Sequence, residues 1–235
     1  MNVASIMAHQ DDEMNCLGTM LKCRARGDSL SFVVLTDGSK GFVQDPGIAQ
    51  ADAARIRREE MTALARELDA QYICLGEPDE FLYDTPGLRT KLIDAIRRTG
   101  AHLVFTHYGE DYNQDHMTTS ALVLHCAMQS CLPVIPTDCA PLAAHPAVFL
   151  TLPHGPIPFP ATHFVDISEW EDEKVRLLVL HRSQEEAMRM AIGAGFSALC
   201  GRTDAYRGQQ VGCAFAECFA PMRSRGAIKP YAVLP

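Results

Sequence analysis

Short apolar runs alternate along this chain with longer stretches in which apolar positions recur every three to four residues. Residues 3–7, 30–35, 71–75 and 101–106 are brief and rich in β-branched or other apolar side chains, which predicts strands, the first of them buried. Residues 12–26, 51–68, 88–98 and 115–129 carry helical spacing, with Gly27 a stop for the first of them. Strand and helix in alternation predict βαβ units and a mainly parallel sheet. From about residue 133 the pattern loosens. Residues 133–160 are rich in Pro, Ala and His, and only 147–152 reads as a strand, so this part is expected to be irregular and to lie over the site. Residues 164–167 predict a short strand. Ser168 with Glu171 three residues on reads as a capping box for a helix through about residue 182. Residues 183–192 predict another helix, broken by Gly193 and Gly195. The tail from residue 208 shows an apolar piece around 213–219 and then a loose end. No internal repeat or low-complexity linker interrupts the chain, so residues 1–235 are expected to form a single α/β domain.

Composition narrows the functional classes. The net charge of −8 argues against a nucleic-acid partner, which needs a basic face, and against a polybasic membrane anchor. No apolar run approaches the roughly 18 residues of a membrane span. The nine cysteines are odd in number, follow no secretion signal and form no CxxC, so they read as small buried residues in a reducing cytoplasm. Cys16 and Cys23 share a helical face, and Cys213 and Cys218 are near enough to meet in a hairpin but are expected to stay unpaired. The partner expected is a small molecule, and a homo-oligomer is open.

Two polar clusters stand out from this background. His9-Gln10-Asp11-Asp12-Glu13 sits where a predicted strand gives way to a predicted helix, and ligands of open α/β sheets bind beyond the carboxyl ends of strands. His9 and Asp12, three apart, can converge on one point, while the adjacent aspartates diverge by about a quarter-turn. That suits one carboxylate on a metal and the other free beside the attacking water. The same residues also suit a plain helix cap with a loop histidine. Tyr112-Asn113-Gln114-Asp115-His116 occupies a second strand-to-helix junction. There His116 could be a third ligand and Asp115 an orienting carboxylate, or Asp115 a cap and His116 a surface residue. Two imidazoles and a carboxylate suit Zn2+ with an open position, although similar sites accept other divalent metals. No GxGxxG follows the first strand, which disfavours a dinucleotide domain.

Ala8-His9-Gln10-Asp11-Asp12-Glu13 resembles the AHxDDE signature of the PIG-L/LmbE-like zinc N-deacetylases, and Asp115-His116 resembles the family's downstream DH. Thr36-Asp37-Gly38, the Arg57-xx-Glu60 pair, Leu75-Gly76-Glu77-Pro78-Asp79, Phe164-Val165-Asp166-Ile167, His181-Arg182-Ser183-Gln184 and Ala216-Glu217-Cys218-Phe219 are similar to further pieces. The resemblance spans most of the chain. It implies a Rossmann-like α/β fold with helices on both faces, and hydrolysis of an N-acetyl or other N-acyl group from an amino sugar. It also implies His9, Asp12 and His116 as zinc ligands, Asp11 as general base, and Arg57, Asp79 and Asp37 as substrate contacts.

One slot departs from the pattern. The family has a histidine three residues before the DH ligand, thought to assist the tetrahedral intermediate, and here that slot is Asn113. Asn can donate a hydrogen bond to an oxyanion but cannot deliver a proton. Asn113 therefore acts as a neutral donor, or His154, His163 or His181 takes over, with His154 in its Pro-rich loop the expected one. Rival readings are an amidase acting on a non-sugar amide or thiol conjugate, and a metal-binding module without turnover.

Overall fold

The computed structural model describes residues 1–222. Seven strands form one sheet in the order β3-β2-β1-β4-β5-β7-β6. Strands β1 (Asn2–Met7), β2 (Ser29–Thr36), β3 (Gln71–Glu77), β4 (Leu103–Thr106) and β5 (Ala147–Thr151) are parallel. Strand β7 (Ala216–Pro221) pairs antiparallel with both β5 and β6 (His163–Asp166). From β1 the chain builds outward to β2 and β3, then returns to place β4 on the other side of β1. This reversal opens a crevice between the C-terminal ends of β1 and β4.

Alternation along β1 divides the core. Val3 and Met7 join α1 (Leu17–Ala25), α2 (Gln50–Glu67), α5 (Glu171–Leu178) and α7 (Phe196–Val211) through Leu17, Met20, Met61, Leu64, Leu177 and Phe196. Ala4 and Ile6 face the opposite way, onto α3 (Pro86–Thr99) and α4 (Gln114–Gln129), through Leu92, Ile96, Leu122 and Val123. Helices therefore cover both faces, as buried parallel strands require. No helix among the described residues is long and apolar enough to cross a membrane. All nine cysteines are free, including Cys213 and Cys218.

Two local expectations are corrected. The helix expected over residues 12–26 is broken. A 3-10 turn over Asp12–Asn15 precedes α1, and Cys16 between them leaves helical geometry with φ −144°. The α1 N-terminus is capped from far along the chain, Glu217 accepting from the Gly18 and Thr19 amides at 2.8 and 2.7 Å. The Ser168–Glu171 capping box does not form, because Ser168 Oγ donates to Asp166 Oδ1 at 2.6 Å and α5 starts after Trp170 without a side-chain cap. The helix expected over residues 183–192 forms and ends where expected, with Gly193 as its C-cap, while the helix that starts beyond Gly195, α7, was not expected. Glu185 from α6 (Arg182–Ile192) accepts the Ser197 amide at 2.8 Å and supplies the α7 cap. The apolar piece around 213–219 contributes β7, and the expected loose end lies outside the described residues.

Buried charge ties the C-terminal elements to α1. Lys174 Nζ, fully buried on α5, lies 2.6 Å from Asp204 of α7 and 2.7 Å from Glu217 of β7. Removing one partner of such a group strands the others in a low dielectric. Lys174→Met is expected to cost about 3–5 kcal/mol in urea unfolding, and a loss below about 1 kcal/mol would dismiss this tie. Burial pushes the neighbouring Glu171 carboxyl from 4.5 up to about 7. A carboxyl raised on folding contributes stability below its unfolded value and loses it as pH rises through the folded one. Glu171→Gln should thus be more stable than wild type at pH 8, with the advantage shrinking toward pH 5 in urea melts at both pH values.

Candidate metal and catalytic centre

The residues after β1 and the first turn of α4 meet over the crevice. His9 Nδ1 lies 3.2 Å from His116 Nε2, and Asp12 completes a triangle, Oδ2 3.3 Å from His9 Nδ1 and Oδ1 3.4 Å from His116 Nε2. These three side chains have the geometry of a metal site. The reverse side of each imidazole faces a carboxylate. His9 Nε2 is 3.0 Å from Asp79 Oδ1 and 3.5 Å from Asp115 Oδ2, and His116 Nδ1 is 3.1 Å from Asp111 Oδ1. Carboxylates behind ligating histidines fix their tautomer and raise their basicity. His9, Asp79 and Asp115 also cluster closely, but the last two are committed to backbone. Asp79 accepts the Lys40 amide at 2.7 Å, and Asp115 accepts those of Glu80 and Leu82 at 2.8 and 3.1 Å. The donor set of His9, Asp12 and His116 fits a divalent cation of the zinc class.

Asp12 is the most heavily compensated group. Its Oδ2 accepts the His9 amide at 2.8 Å. Burial opposes its charge, but His116 holds its carboxyl well below the ordinary range. Asp11 differs. Its φ of +103° lies in the left-handed region, a conformation that costs about 1–3 kcal/mol in a residue bearing a side chain. That turn separates the two carboxylates. Asp11 Oδ1 meets Arg57 at 2.9 Å, while the same guanidinium binds the Gln10 carbonyl. Burial pushes the Asp11 carboxyl up, with Arg57 pulling against it.

A cavity of about 460 Å³ gathers most of the residues expected from the sequence: His9, Asp11, Asp12, Arg57, Asp79, Asn113, His116 and His154. His154 Nε2 is 3.9 Å from Asp12 Oδ1. Asn113 is the N-cap of α4, its Oδ1 accepting the Asp115 and His116 amides at 2.7 and 3.3 Å, and its Nδ2 faces Glu80 at 3.4 Å. Asp37 does not line the cavity and accepts the Ser39 amide at 3.0 Å. His163 sits on β6 against the Phe149 ring, and His181 is buried against Glu13 at 2.7 Å. Beyond the polar floor, Met14, Met188, Phe196 and Leu199 form an apolar wall.

Two residues escaped sequence reasoning. His107, directly after β4, stacks on His116 with centroids 4.1 Å apart, and its Nε2 accepts the Ala8 amide at 2.9 Å. Burial and the neighbouring His116 push it down to about 4, so it is a neutral support for the His116 ring. Its position at a strand end, matching that of His9, was the available signal. Asp111 had none, since only the loop's path brings it behind His116.

The GlcNAc-PI de-N-acetylase (PIG-L) family model matches residues 4–127, the stretch that carries every group in the triangle and behind it. The chain belongs to the PIG-L family. No curated protein matches it. Solved structures similar to this PIG-L family protein include a conserved protein of Thermus thermophilus, at 26% identity and TM-score 0.78 over 97% of both chains. The N,N'-diacetylchitobiose deacetylase of Pyrococcus horikoshii is similar at 23% identity and TM-score 0.80, over 94% of this chain and 83% of that one. The 4-carboxy-2-hydroxymuconate hydratase GalB of Pseudomonas putida KT2440 is similar at 21% identity and TM-score 0.78, over 98% and 100%. At such identities the last two share the fold, and that fold serves a hydratase as well as a deacetylase.

The carboxylate behind His116 has a measurable consequence. Asp111→Asn is expected to weaken Zn2+ binding about 10- to 100-fold by calorimetry, and His116→Ala to weaken it further. Equal affinity in wild type and both variants would remove His116 from the ligand set.

Proposed function

We propose that this PIG-L family protein is a metal-dependent N-deacetylase that hydrolyses an N-acetyl group from an amino sugar or an amino-sugar-containing small molecule. The observation that carries the reading is the division between the two aspartates. Asp12 faces both imidazoles, whereas Asp11 is turned away to Arg57 yet lines the same cavity. A site that only stored metal has no need of the second carboxylate, and a buried carboxylate with a raised pKa is suited to proton transfer.

A divalent cation held by His9, Asp12 and His116 would supply Lewis acidity toward the acyl carbonyl and acidify the attacking water. Asp11 takes the proton from that water as it adds to the carbonyl carbon. The same carboxyl then protonates the leaving nitrogen, giving a free amine and acetate. Arg57 orients Asp11 and limits the rise of its pKa. His154 is the better donor to the developing oxyanion, because both ends of the Asn113 amide already have partners. Asp79 serves first as the carboxylate behind His9 and lines the space a sugar would occupy.

The apolar wall of Met14, Met188, Phe196 and Leu199 favours a second reading, an amidase whose substrate carries an apolar group beside the amide. Acetate release from N-acetylglucosamine, N-acetylchitooligosaccharides and N-acetylated arylamines separates the two. In the best of these, Asp11→Asn is expected to keep its metal and lose about 100- to 10,000-fold in kcat. Full turnover in that variant, or loss of its metal, would reverse the roles of the two aspartates. No acetate from any substrate with zinc-loaded protein would count against the deacetylase reading itself.

A further inference from the structure

The left-handed backbone of Asp11 requires something to hold it, and Arg57 reaches only the side chain and the preceding carbonyl. The Asp11 amide donates to Glu13 Oε2 at 3.0 Å. The other carboxylate oxygen of Glu13 lies 2.7 Å from His181 Nε2. Both side chains are out of solvent, Glu13 at 1% and His181 at 0% exposure. His181 Nδ1 has no hydrogen-bond partner among the described residues, so the polar link of the ring runs to Glu13. Its other notable neighbour is Phe196, edge-on at 6.1 Å.

His181 itself is set by the helix that supplies Arg57. It stands at the start of α6, where the Ser183 amide and hydroxyl donate to Glu60 at 2.8 and 2.6 Å. Glu60 lies three residues after Arg57 on α2. One helix thus sends a guanidinium to the Asp11 carboxylate and anchors the segment whose imidazole holds the Asp11 backbone through Glu13. We propose that His181 is a positioning residue for Asp11: acting through Glu13, it keeps the backbone turned so that the carboxylate faces the cavity beside the metal ligands. The inference rests on the reading of Asp11 as the base. It places a role for the C-terminal half of the chain, outside the matched residues 4–127, inside the centre that the N-terminal half builds.

The physical basis is reach. His181 touches neither the metal ligands nor the cavity, so its loss should misplace the base without removing a contact to metal or substrate. A misplacement on the order of 1 Å at a reacting group costs up to about 100-fold in rate. Full-length zinc-loaded protein is compared as wild type, His181→Phe, which keeps a planar ring without the donor, and His181→Gln, which restores an N–H near the same place. His181→Phe is expected to bind Zn2+ as wild type does, keep KM, and lose about 10- to 100-fold in kcat, with His181→Gln recovering part of that loss. Its crystal structure should show Asp11 out of the positive-φ turn. If His181→Phe does not fold, His181→Leu is read in the same way. An unchanged kcat, a fall in zinc affinity matching the fall in kcat, or an unmoved Asp11 backbone would each overturn the proposal. The crystallographic arm needs no substrate, so a failure of the deacetylase reading is told apart from a failure of the link.

Discussion

A carboxylate taken out of water has to be compensated, and the centre of this protein is organised by how Asp12 meets that demand. Its side chain is only 7% exposed and lies within 3.4 Å of imidazoles from three separate places, His9 after β1, His107 after β4 and His116 on α4. His107, with its Nε2 already accepting from the Ala8 backbone, is neutral and supports rather than neutralises. The two remaining imidazoles turn their other nitrogens toward carboxylates. Imidazoles and a carboxylate so placed, with further carboxylates behind the imidazoles, are a donor set that could hold a cation. The parallel sheet makes it possible, since the crevice at the reversal of strand order is where two chain segments can converge without burying unpaired backbone.

The second constraint is that neighbouring aspartates must do different things. Adjacent residues on a regular helix stay within about a quarter-turn of one another. The chain breaks that regularity with a positive φ at Asp11 and a 3-10 turn from Asp12. Asp12 then joins the imidazoles while Asp11 turns to Arg57. The conformation is held by packing around it, with Arg57 and Glu60 on one helix and Glu13 and His181 buried beneath. The C-terminal half contributes through tertiary contacts: Lys174, Asp204 and Glu217 lock α5, α7 and β7 together, and Glu217 caps α1. Strain at a proposed catalytic residue and buried charge far from it are two sides of one arrangement, in which an unfavourable local state persists because its surroundings over-determine it.

Much of this was legible in the residues. The alternation of apolar runs located β1 to β5, most plainly β1, β2 and β4, because a strand buried on both faces has to be continuously apolar. The two polar clusters announced themselves by sitting at strand-to-helix junctions. Legibility failed where a partner is remote. The helix expected at residue 12 gave way to a turn, because the chain leaves helical geometry at Cys16 and Glu217, some 200 residues away, caps α1 beyond that break. Helix α7 was missed because its apolar positions are few and its cap, Glu185, lies on the preceding helix. The Ser168 capping box was outcompeted by Asp166 at the end of β6.

What the sequence determined by itself is the class of fold and the chemistry available: a parallel sheet from its periodicity, and imidazoles and carboxylates placed at the ends of its strands. Those features are local, and local spacing controls them. Which groups face one another was decided only by tertiary structure. Asp111 stands behind His116 and Asp79 behind His9. Asn113 is spent on a helix cap and Asp37 turns away from the cavity, while His181 comes from the far half of the chain to Glu13. Those pairings depend on strand order and loop path. A buried charge takes its partner from whatever the fold brings within a few ångströms, and distance along the chain does not enter that choice.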